Sequence, residues 1–451
     1  MSTPAPPANS GSLERDARLI NARNDAVRPG DIAIGVIIGR TSEFFDFFVY
    51  AIASVLVFPA VVFPYVDPLT GTLYSFAVFS VAFIGRPFGT LIFTAIDRRH
   101  GRGAKLTLAL FLLGGSTMAI SLLPSHEQVG ALSAWLLALF RFCQGIALGG
   151  AWDGLPSLLS LNAPRGKRGW YAMIPQLGAP LGLVIASVLF AYFLSLLTPE
   201  DFLLWGWRYP FFVVLAINVV ALFARLRIVA TPEFQRAFES RELQPSPPFR
   251  TLVAEWRAIA LGAFAPLASF ALFHLVTVFP LSWVRLKTQV EPVRFLVLET
   301  IGAIICVLAI LGSGFLADRV GRRAVLGVSA ALIGAYSGFA PQLLDAGEVG
   351  EALYLLGGFV LLGLSFGQSS GAVNNALPAH HRYTGAAIVG NSAWFIGAGF
   401  APLVALFLAT RVGLWSVGLY LLSGVLCTLV ALAINREWAA RETGARSGAK
   451  S

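Results

Sequence analysis

Charged side chains are scarce in this chain. Asp, Glu, Lys and Arg make up 13% of its 451 residues, whereas 56% of the residues are hydrophobic, and the mean hydropathy is +0.73. A soluble globular protein carries about 25% charged residues. The composition therefore excludes a chain that faces water on all sides.

Cysteine is also rare. Cys143, Cys306 and Cys427 lie far apart in apolar stretches, with a spacing that fits neither a metal site nor a disulfide framework. We interpret them as small core residues. The sequence contains no phosphate-binding Gly-rich loop and no nucleophile constellation, which disfavours ATP-driven pumping and hydrolysis. It predicts neither an enzyme nor a metal or cofactor site.

Long apolar runs are abundant. Residues 106–124, 209–224 and 412–434 are three examples of runs close to the length, about 20 residues, that crosses a bilayer as a helix. The chain is therefore an all-α membrane protein. The runs predict about twelve transmembrane helices, at 32–60, 72–95, 104–124, 131–153, 170–196, 209–228, 257–284, 295–317, 324–343, 349–375, 385–409 and 413–435.

Basic residues are concentrated in alternate loops, one of which carries the basic residues from Arg225 to Arg257, and both tails add more. This bias predicts that both termini are cytoplasmic, and it accounts for most of the net charge of +9 without nucleic-acid binding. The predicted divisions are a disordered tail at 1–30, a six-helix bundle at 31–228, a cytoplasmic linker at 229–256, a second bundle at 257–435 and a tail at 436–451.

The second half of the chain repeats motifs of the first. TAIDRRHGRGAKL (94–106) matches GFLADRVGRRAVL (314–326), and their aspartates are 318 − 97 = 221 residues apart. LNAPRGKRG (161–169) and NALPAHHRYTG (375–385) form a second pair. Two six-helix halves with matching loops indicate a transporter whose site lies at mid-membrane between the halves.

These loops have the composition of a conformational latch. Glycine allows a tight turn between helices, aspartate caps a helix start, and arginine reaches helix ends or acidic groups opposite. The alternative is a set of positive charges that only fixes topology. The predicted gating residues are Asp97, Arg98, Arg102, Asn162, Arg168, Asp318, Arg319, Arg322, Arg323, Asn375 and Arg382.

The GFLADRVGRR loop resembles the signature loop of the major facilitator superfamily. Within it, the chain resembles the metabolite:proton symporter family, whose members carry organic acids, shikimate, proline or betaine. The motifs that carry this resemblance occur in order along nearly the whole chain, and they are EFFDFFVYA, RPFGTLIF, RFCQGIALGGAWDG, WRYPFFV, ATPEF and LPAHHRYTGAA.

The chain departs from the family pattern at several positions. Ala151 stands where a fourth-helix glutamate is usual, with Asp153 two positions later, and the loop acids after helices four and ten are Asn162 and Asn375. The first signature loop also has one additional residue. Because amides replace charged partners of the loop arginines, we expect a weaker latch on the cytoplasmic side.

Three charges lie within the first apolar segment. At about 100° per residue, Glu43, Asp46 and Tyr50 fall within an arc of about 120° that begins at Arg40. We therefore expect one polar stripe that faces the interior of the bundle. The aromatic residues expected on the other side of the helix are Phe44, Phe45 and Phe48.

The buried charges do not balance in this segment and its neighbours. The cations Arg40, Arg86 and Arg141 exceed the carboxylates Glu43 and Asp46 by one, and a carboxylate substrate would offset the difference. The alternative is that Arg40 and Glu43 form a neutral pair that only tethers helices. With Tyr50, Arg40 is the predicted substrate anchor, although the family more often has a small or amide residue there.

Proton coupling needs a carboxyl group whose environment changes between conformations. Asp46 is six positions from Arg40 and is less well paired along its own helix than Glu43. We therefore predict Asp46 as the titrating residue and Glu43 as the second candidate. The resemblance implies both residues and adds Arg141, the arginine of the fourth-helix motif.

Other polar residues within the apolar spans are weaker candidates. Gln176, Asn391 and Trp394 are predicted to line the substrate cavity from both halves, although close helix packing explains their surroundings equally well. His274 either relays protons or is a hydrogen-bonded core residue. Glu299 is expected near the outer interface, where exposure would lower the cost of its charge.

The sequence thus predicts a monomeric, proton-coupled symporter of a bacterial inner membrane that imports a small organic acid by alternating access. It needs the proton gradient and no cofactor. Alternatives are uptake of a zwitterion such as proline or betaine, and proton-antiport efflux, which Gly178, Pro180 and Gly182 suggest. A non-transporting sensor on the same scaffold is disfavoured because the tails are short.

Overall fold

The computed structural model describes residues 29–151, 159, 163–164, 166–229, 244–288, 290–370 and 377–435. These residues form twelve long helices and no strand. The first six are α1 (Pro29–Leu56), α2 and α3 (the arms of Pro68–Ser121 before and after Gly101), α4 (Leu132–Gly150), α5 (Arg168–Leu196) and α6 (Arg208–Val229). The last six are α7 (Leu267–Lys287), α8 (Pro292–Val320), α9 (Arg322–Ser337), α10 (Gly347–Phe366), α11 (His380–Arg411) and α12 (Trp415–Ile434).

Most of these helices are long and apolar enough to cross a membrane. Nine helices of the described part meet this requirement, and Pro68–Ser121 counts once among them although it contains two arms. Two of the twelve helices do not meet the requirement, α1 because it carries several charges and α9 because it has only 16 residues. The predicted all-α fold of twelve helices is confirmed.

Some boundaries differ from the sequence prediction. The predicted linker at 229–256 contains a short helix, Pro248–Ala254, and a further helix, Trp256–Phe264, precedes α7. The long helix α7 itself is interrupted at Val278, between Leu267–Thr277 and Phe279–Lys287. The predicted tails and residues 230–243 of the linker lie outside the described residues.

The repeated signature loops are the same turn in both halves. Gly101 joins α2 to α3 with φ of +84°, and Gly321 joins α8 to α9 with φ of +91°. Residues other than glycine rarely adopt this left-handed region. We call the end of the molecule that carries these two turns the signature-loop end, and the other the opposite end.

Glycines allow α2 and α4 to approach until their backbones touch. A Cβ atom placed on Gly89 would lie 2.0 Å from the carbonyl oxygen of Ile146, and one on Gly145 would lie 2.1 Å from that of Ala82. Small residues at such crossings are common in membrane helices because they maximise van der Waals contact. The crossing fixes Arg86 on α2 and Arg141 on α4, one turn from these glycines.

A second glycine contact fixes α1 against α5. A Cβ atom on Gly178 would lie 2.6 Å from the carbonyl carbon of Arg40, and one on Gly182 would lie 2.6 Å from the amide nitrogen of Phe45. The glycines of α5 thus hold the charged part of α1 in place. Close packing explains this glycine pattern without any role in proton antiport.

Candidate functional site

A small cavity of about 80 Å³ lies between the two halves. The first half contributes α1, α2 and α4 to its wall, and the second half contributes α11. The residues that line it are Arg40, Glu43, Phe44, Phe47, Arg86, Leu148, Ala387, Gly390, Asn391 and Trp394. Because both halves form its wall, any relative movement of the halves changes its shape.

Glu43 is the carboxylate of this cavity, and it is held by two arginines. Its Oε2 atom lies 2.5 Å from Nη1 of Arg40, and its Oε1 atom lies 2.5 Å from Nη2 of Arg225. The side chain of Arg40 is 23% exposed, and its guanidinium also lies 5.0 Å from the ring centre of Phe44. Glu43 is therefore fully occupied by ion pairs in this conformation.

Arg225 is a site residue that sequence reasoning missed. Its assignment to a basic loop is wrong, because it is 1% exposed on α6 and donates to the carbonyl oxygens of Gly39 (2.8 Å) and Ala151 (3.1 Å). These bonds join α6 to α1 and to the end of α4. The signal in the sequence is its position inside the predicted helix 209–228, about one turn before the end of that helix.

Arg86 is the cavity cation without a counter-ion. Among the described residues its guanidinium has no hydrogen bond and no ion pair, and its Nε atom is buried without a partner. The guanidinium lies 5.1 Å from the ring centre of Phe83 and 5.4 Å from that of Trp394. Aromatic contacts stabilise a cation but leave its N–H donors available for an anion.

Asp46 lies three residues from Glu43 but has different surroundings. It is 2% exposed, and it accepts hydrogen bonds from Oγ1 of Thr117 (2.8 Å) and Nε2 of Gln144 (3.2 Å). No Lys or Arg of the described chain lies within ion-pairing distance of it. A carboxyl group with hydroxyl and amide partners can bind a proton without breaking an ion pair.

Arg141 is connected to Asp46 through Gln144. It donates from Nη1 to Oε1 of Gln144 (3.0 Å) and from Nε to the carbonyl oxygen of Phe79 (3.2 Å). Its guanidinium lies 3.9 Å from the ring centre of Tyr50, which is fully buried. Arg141 is therefore linked to Asp46 by hydrogen bonds through one intervening side chain, that of Gln144.

The expected single polar stripe on α1 is wrong. Arg40 and Glu43 line the cavity, whereas Asp46 and Tyr50 face α3 and α4 inside the first half. Phe44, expected on the side away from the polar stripe, lines the cavity instead. The helix positions were estimated correctly, but an arc of about 120° is wide enough to face two different neighbours.

The remaining cavity candidates have mixed environments. Asn391 donates from Nδ2 to Oγ1 of Thr90 (2.8 Å) and so links α11 to α2, and Trp394 lies beside it in the wall. Gln176 is buried at the start of α5, and its Oε1 atom has no partner among the described residues.

His274 is buried between the two halves without a hydrogen bond. Its ring stacks on Phe47 at 5.1 Å with an angle of 19° between the planes, and neither ring nitrogen has a partner in the described structure. The interpretation as a hydrogen-bonded core residue is therefore wrong. The histidine is packed among aromatic rings of both halves.

Glu299 is also placed differently from the expectation. It is 0% exposed on α8, and Oγ of Ser187 on α5 donates to its Oε2 atom at 3.0 Å. The prediction of an exposed residue near the membrane surface is wrong because the side chain points into the interface between the halves.

At the signature-loop end, the loop of the first half is paired within that half. Asp97 lies 3.1 Å from Nη2 of Arg102 and 3.6 Å from Nζ of Lys105. Lys105 also donates to Oη of Tyr383 on α11 at 2.7 Å, and Arg102 lies over the same ring at 4.3 Å. Tyr383 is therefore a contact of this loop with the second half.

The loop of the second half connects the halves directly. Asp318 accepts hydrogen bonds from the backbone N–H groups of Gly169 (2.6 Å) and Trp170 (3.2 Å), at the start of α5. Arg322 donates to the carbonyl oxygen of Arg168 at 3.4 Å. A carboxylate at a helix start is the favourable arrangement for both the hydrogen bonds and the helix dipole.

The other predicted gating residues lie around these contacts. Arg98 and Arg319 are exposed, Arg323 is half-buried beside the Gly321 turn, and Arg382 lies next to Tyr383 on α11. Asn162 and Asn375 replace the usual loop acids, and the weaker latch was predicted from them. Both lie outside the described residues. That expectation stays a prediction.

Comparisons with known proteins agree with this arrangement. Residues 32–245 match the family model "Sugar (and other) transporter". The chain is 36% identical over 433 residues to the inner membrane metabolite transport protein YhjE of Escherichia coli, covering 94% of this chain and 96% of that protein. The chain belongs to the major facilitator superfamily.

The resemblance inferred from the motifs is thereby confirmed, and the protein is a multi-pass membrane transporter rather than an enzyme. The shikimate transporter of Escherichia coli is 31% identical to it, over 94% of this chain and 99% of that protein. A structure of the proton:xylose symporter XylE bound to 6-bromo-6-deoxy-D-glucose has a TM-score of 0.67, with 16% identity over 90% of this chain and 95% of that chain. At this identity the structural match shows the fold alone.

Proposed function

We propose that the protein is a proton-coupled symporter that imports a small organic acid by alternating access. The observation that carries the proposal is Arg86, a cation in a cavity between the halves with no counter-ion among the described residues. Arginine offers a planar pair of donors that matches a carboxylate. Arg40 was the predicted anchor, but its guanidinium is already ion-paired with Glu43, so we assign the binding role to Arg86.

The relatives support the choice of an acid. The shikimate transporter acts on a carboxylate, whereas the proline/betaine transporter of Salmonella typhimurium, 27% identical over 82% of this chain, acts on zwitterions. A zwitterion would need aromatic faces for its ammonium group. Here the rings of Phe44 and Trp394 are already covered by Arg40 and Arg86, which favours the anion.

Asp46 is the proposed proton-binding residue, with Arg141 acting on it through Gln144. When substrate binds to Arg86 on α2, the α2–α4 crossing shifts and the donors around Asp46 rearrange. The proton gradient drives the cycle without a cofactor. We further propose a monomer in a bacterial inner membrane with both termini cytoplasmic and the domain boundaries stated above.

Proton movement in proteoliposomes tests this proposal. The external medium should become alkaline when shikimate is added as the test carboxylate, and should change little with xylose, proline or betaine. Antiport would acidify the medium instead, and alkalinisation only with proline or betaine would replace the acid by a zwitterion.

The variant Arg86→Gln tests the anion site. It should weaken apparent affinity for the carboxylate about 100-fold, the equivalent of about 2.8 kcal/mol for lost charge-assisted hydrogen bonds. Arg86→Lys should fall between, because it keeps the charge and loses the paired geometry. The matched control is Arg294→Gln, which removes a partly exposed arginine of the opposite end. Unchanged affinity in Arg86→Gln would contradict the assignment.

A further inference from the structure

Glu299 is a buried carboxyl group with no role in the proposed transport cycle so far. It lies on α8 in the second half, whereas Glu43 and Asp46 lie on α1 in the first. Its side chain is 0% exposed. A buried ionisable residue inside a membrane span is a functional candidate by default because its charge is costly there.

Glu299 faces the interface between the halves. Cys306, two turns further along the same face of α8, borders a small apolar space shared with Leu183 of α5 and Phe48 of α1. Ser187, one turn beyond Leu183 on α5, donates to Glu299. The carboxyl group is therefore part of the α5–α8 contact and lies on the side towards the opposite end.

The partners of Glu299 are few. Ser187 donates to Oε2 at 3.0 Å, and Oε1 has no partner among the described residues. The elements packed against α8 are α5, α7, α9 and α10. Titratable and charged groups on these helices are Arg168, Tyr171, Tyr192, His274, Arg285, Lys287, Arg322, Arg323, Tyr336, Glu348, Glu351 and Tyr354. None of them is hydrogen bonded or ion-paired to Glu299 in the described structure.

The same helix carries a second carboxylate that touches α5. Asp318, 318 − 299 = 19 residues further on, binds the start of α5 at the signature-loop end. The α5–α8 seam is thus fastened by a carboxyl group towards each end. Alternating access requires the two ends to separate in turn, so the two contacts break in different conformations.

We propose that Glu299 is a second proton-binding site of the transport cycle, loaded when the halves close at the opposite end. When that end is open, water solvates the carboxylate. When it closes, a charged Glu299 would have one hydroxyl donor and no counter-ion, so closure requires a proton. The proton binds to the free carboxylate oxygen, and no other bond changes. This inference rests on the proposed symport.

Transport by Glu299→Gln tests the role in coupling. With shikimate as the probe, accumulation driven by a pH gradient of one unit should fall about tenfold, since each coupled proton supports a tenfold ratio per pH unit. Counterflow exchange, which needs no net proton movement, should persist. Glu348→Gln, an exposed glutamate at the start of α10, is the matched control and should accumulate like the wild type.

A spectroscopic measurement keeps the test independent of substrate and of symport. Infrared spectra of the purified full-length protein in lipid should show a protonated-carboxyl band that is missing in Glu299→Gln and displaced in Ser187→Ala. Should Glu299→Gln fail to insert, the displacement in Ser187→Ala decides the matter alone.

The outcomes separate the two proposals. The role of Glu299 is overturned if the wild type is proton-coupled and Glu299→Gln accumulates substrate to the same level. It is also overturned if the carboxyl bands are identical in all variants. Both results leave the proposed symport intact. Absence of proton movement in the wild type with every test substrate overturns the proposed function itself, whatever the infrared bands show.

Discussion

Glu43 and Asp46 lie one turn apart on α1, yet their surroundings are opposite. Glu43 is held by Arg40 and Arg225 at 2.5 Å each, whereas Asp46 is bonded to Thr117 and Gln144 and has no ion pair among the described residues. A paired carboxylate resists protonation because protonation breaks two ion pairs. The comparison therefore assigns a fixed charge to Glu43 and a movable proton to Asp46.

The largest difference between the two carboxylates should appear in the free energy of unfolding of their variants. Glu43→Gln leaves Arg225 buried without its carboxylate, and breaking such a pair costs about 3–5 kcal/mol. Asp46→Asn keeps a polar group that can still bond to Thr117 and Gln144, so its cost should be about 1 kcal/mol. Unfolding in detergent measures both. Equal losses of stability would remove the distinction between the two carboxylates.

The hydrogen bonds around Asp46 should set the pH response of transport. Thr117→Ala removes a donor that stabilises the charged carboxylate, a loss of about 1 kcal/mol. The pH at half-maximal uptake should therefore move up by somewhat less than one unit. Initial uptake rates over a pH series measure the shift, with Thr107→Ala on the same helix as the control. A shift to lower pH would show that Thr117 stabilises the protonated form instead.

The signature loops repeat the contrast on a smaller scale. Asp97 is paired with cations of its own half, whereas Asp318 binds backbone N–H groups of the other half. Asp318→Asn should therefore weaken the contact between the halves by about 1 kcal/mol. The fraction of molecules whose halves are separated at the signature-loop end should then rise about fivefold. Distances between spin labels at the exposed positions 98 and 319 report it. Asp97→Asn should leave the distances unchanged, and an equal effect of both substitutions would contradict the assignment.

The sequence was sufficient for the fold and insufficient for the partners of the buried charges. Apolar runs located the helices, and the repeated motifs located the turns at Gly101 and Gly321. Arg225 was misassigned because basic residues at the end of an apolar run look like a topological signal. Its bonds reach residues 74 to 186 positions away, which no local pattern reveals.

Glu299 and the polar side of α1 were misplaced for a related reason. Helical periodicity gives the face of a residue but not the helix that this face meets. Asp46 and Glu43 are close on the helical wheel, yet one meets α3 and α4 and the other meets the cavity. Glu299 is seven residues inside α8, where only the position of α5 shows that it is covered.

The central claim is that Asp46 binds the proton that drives transport. The most direct test compares Asp46→Asn with the wild type in proteoliposomes, with proton-driven accumulation and counterflow exchange of shikimate measured on the same preparation. The account predicts that Asp46→Asn lowers accumulation about tenfold or more at a pH gradient of one unit and retains exchange. Equal loss of both activities would contradict it and would show that Asp46 acts in folding or substrate binding.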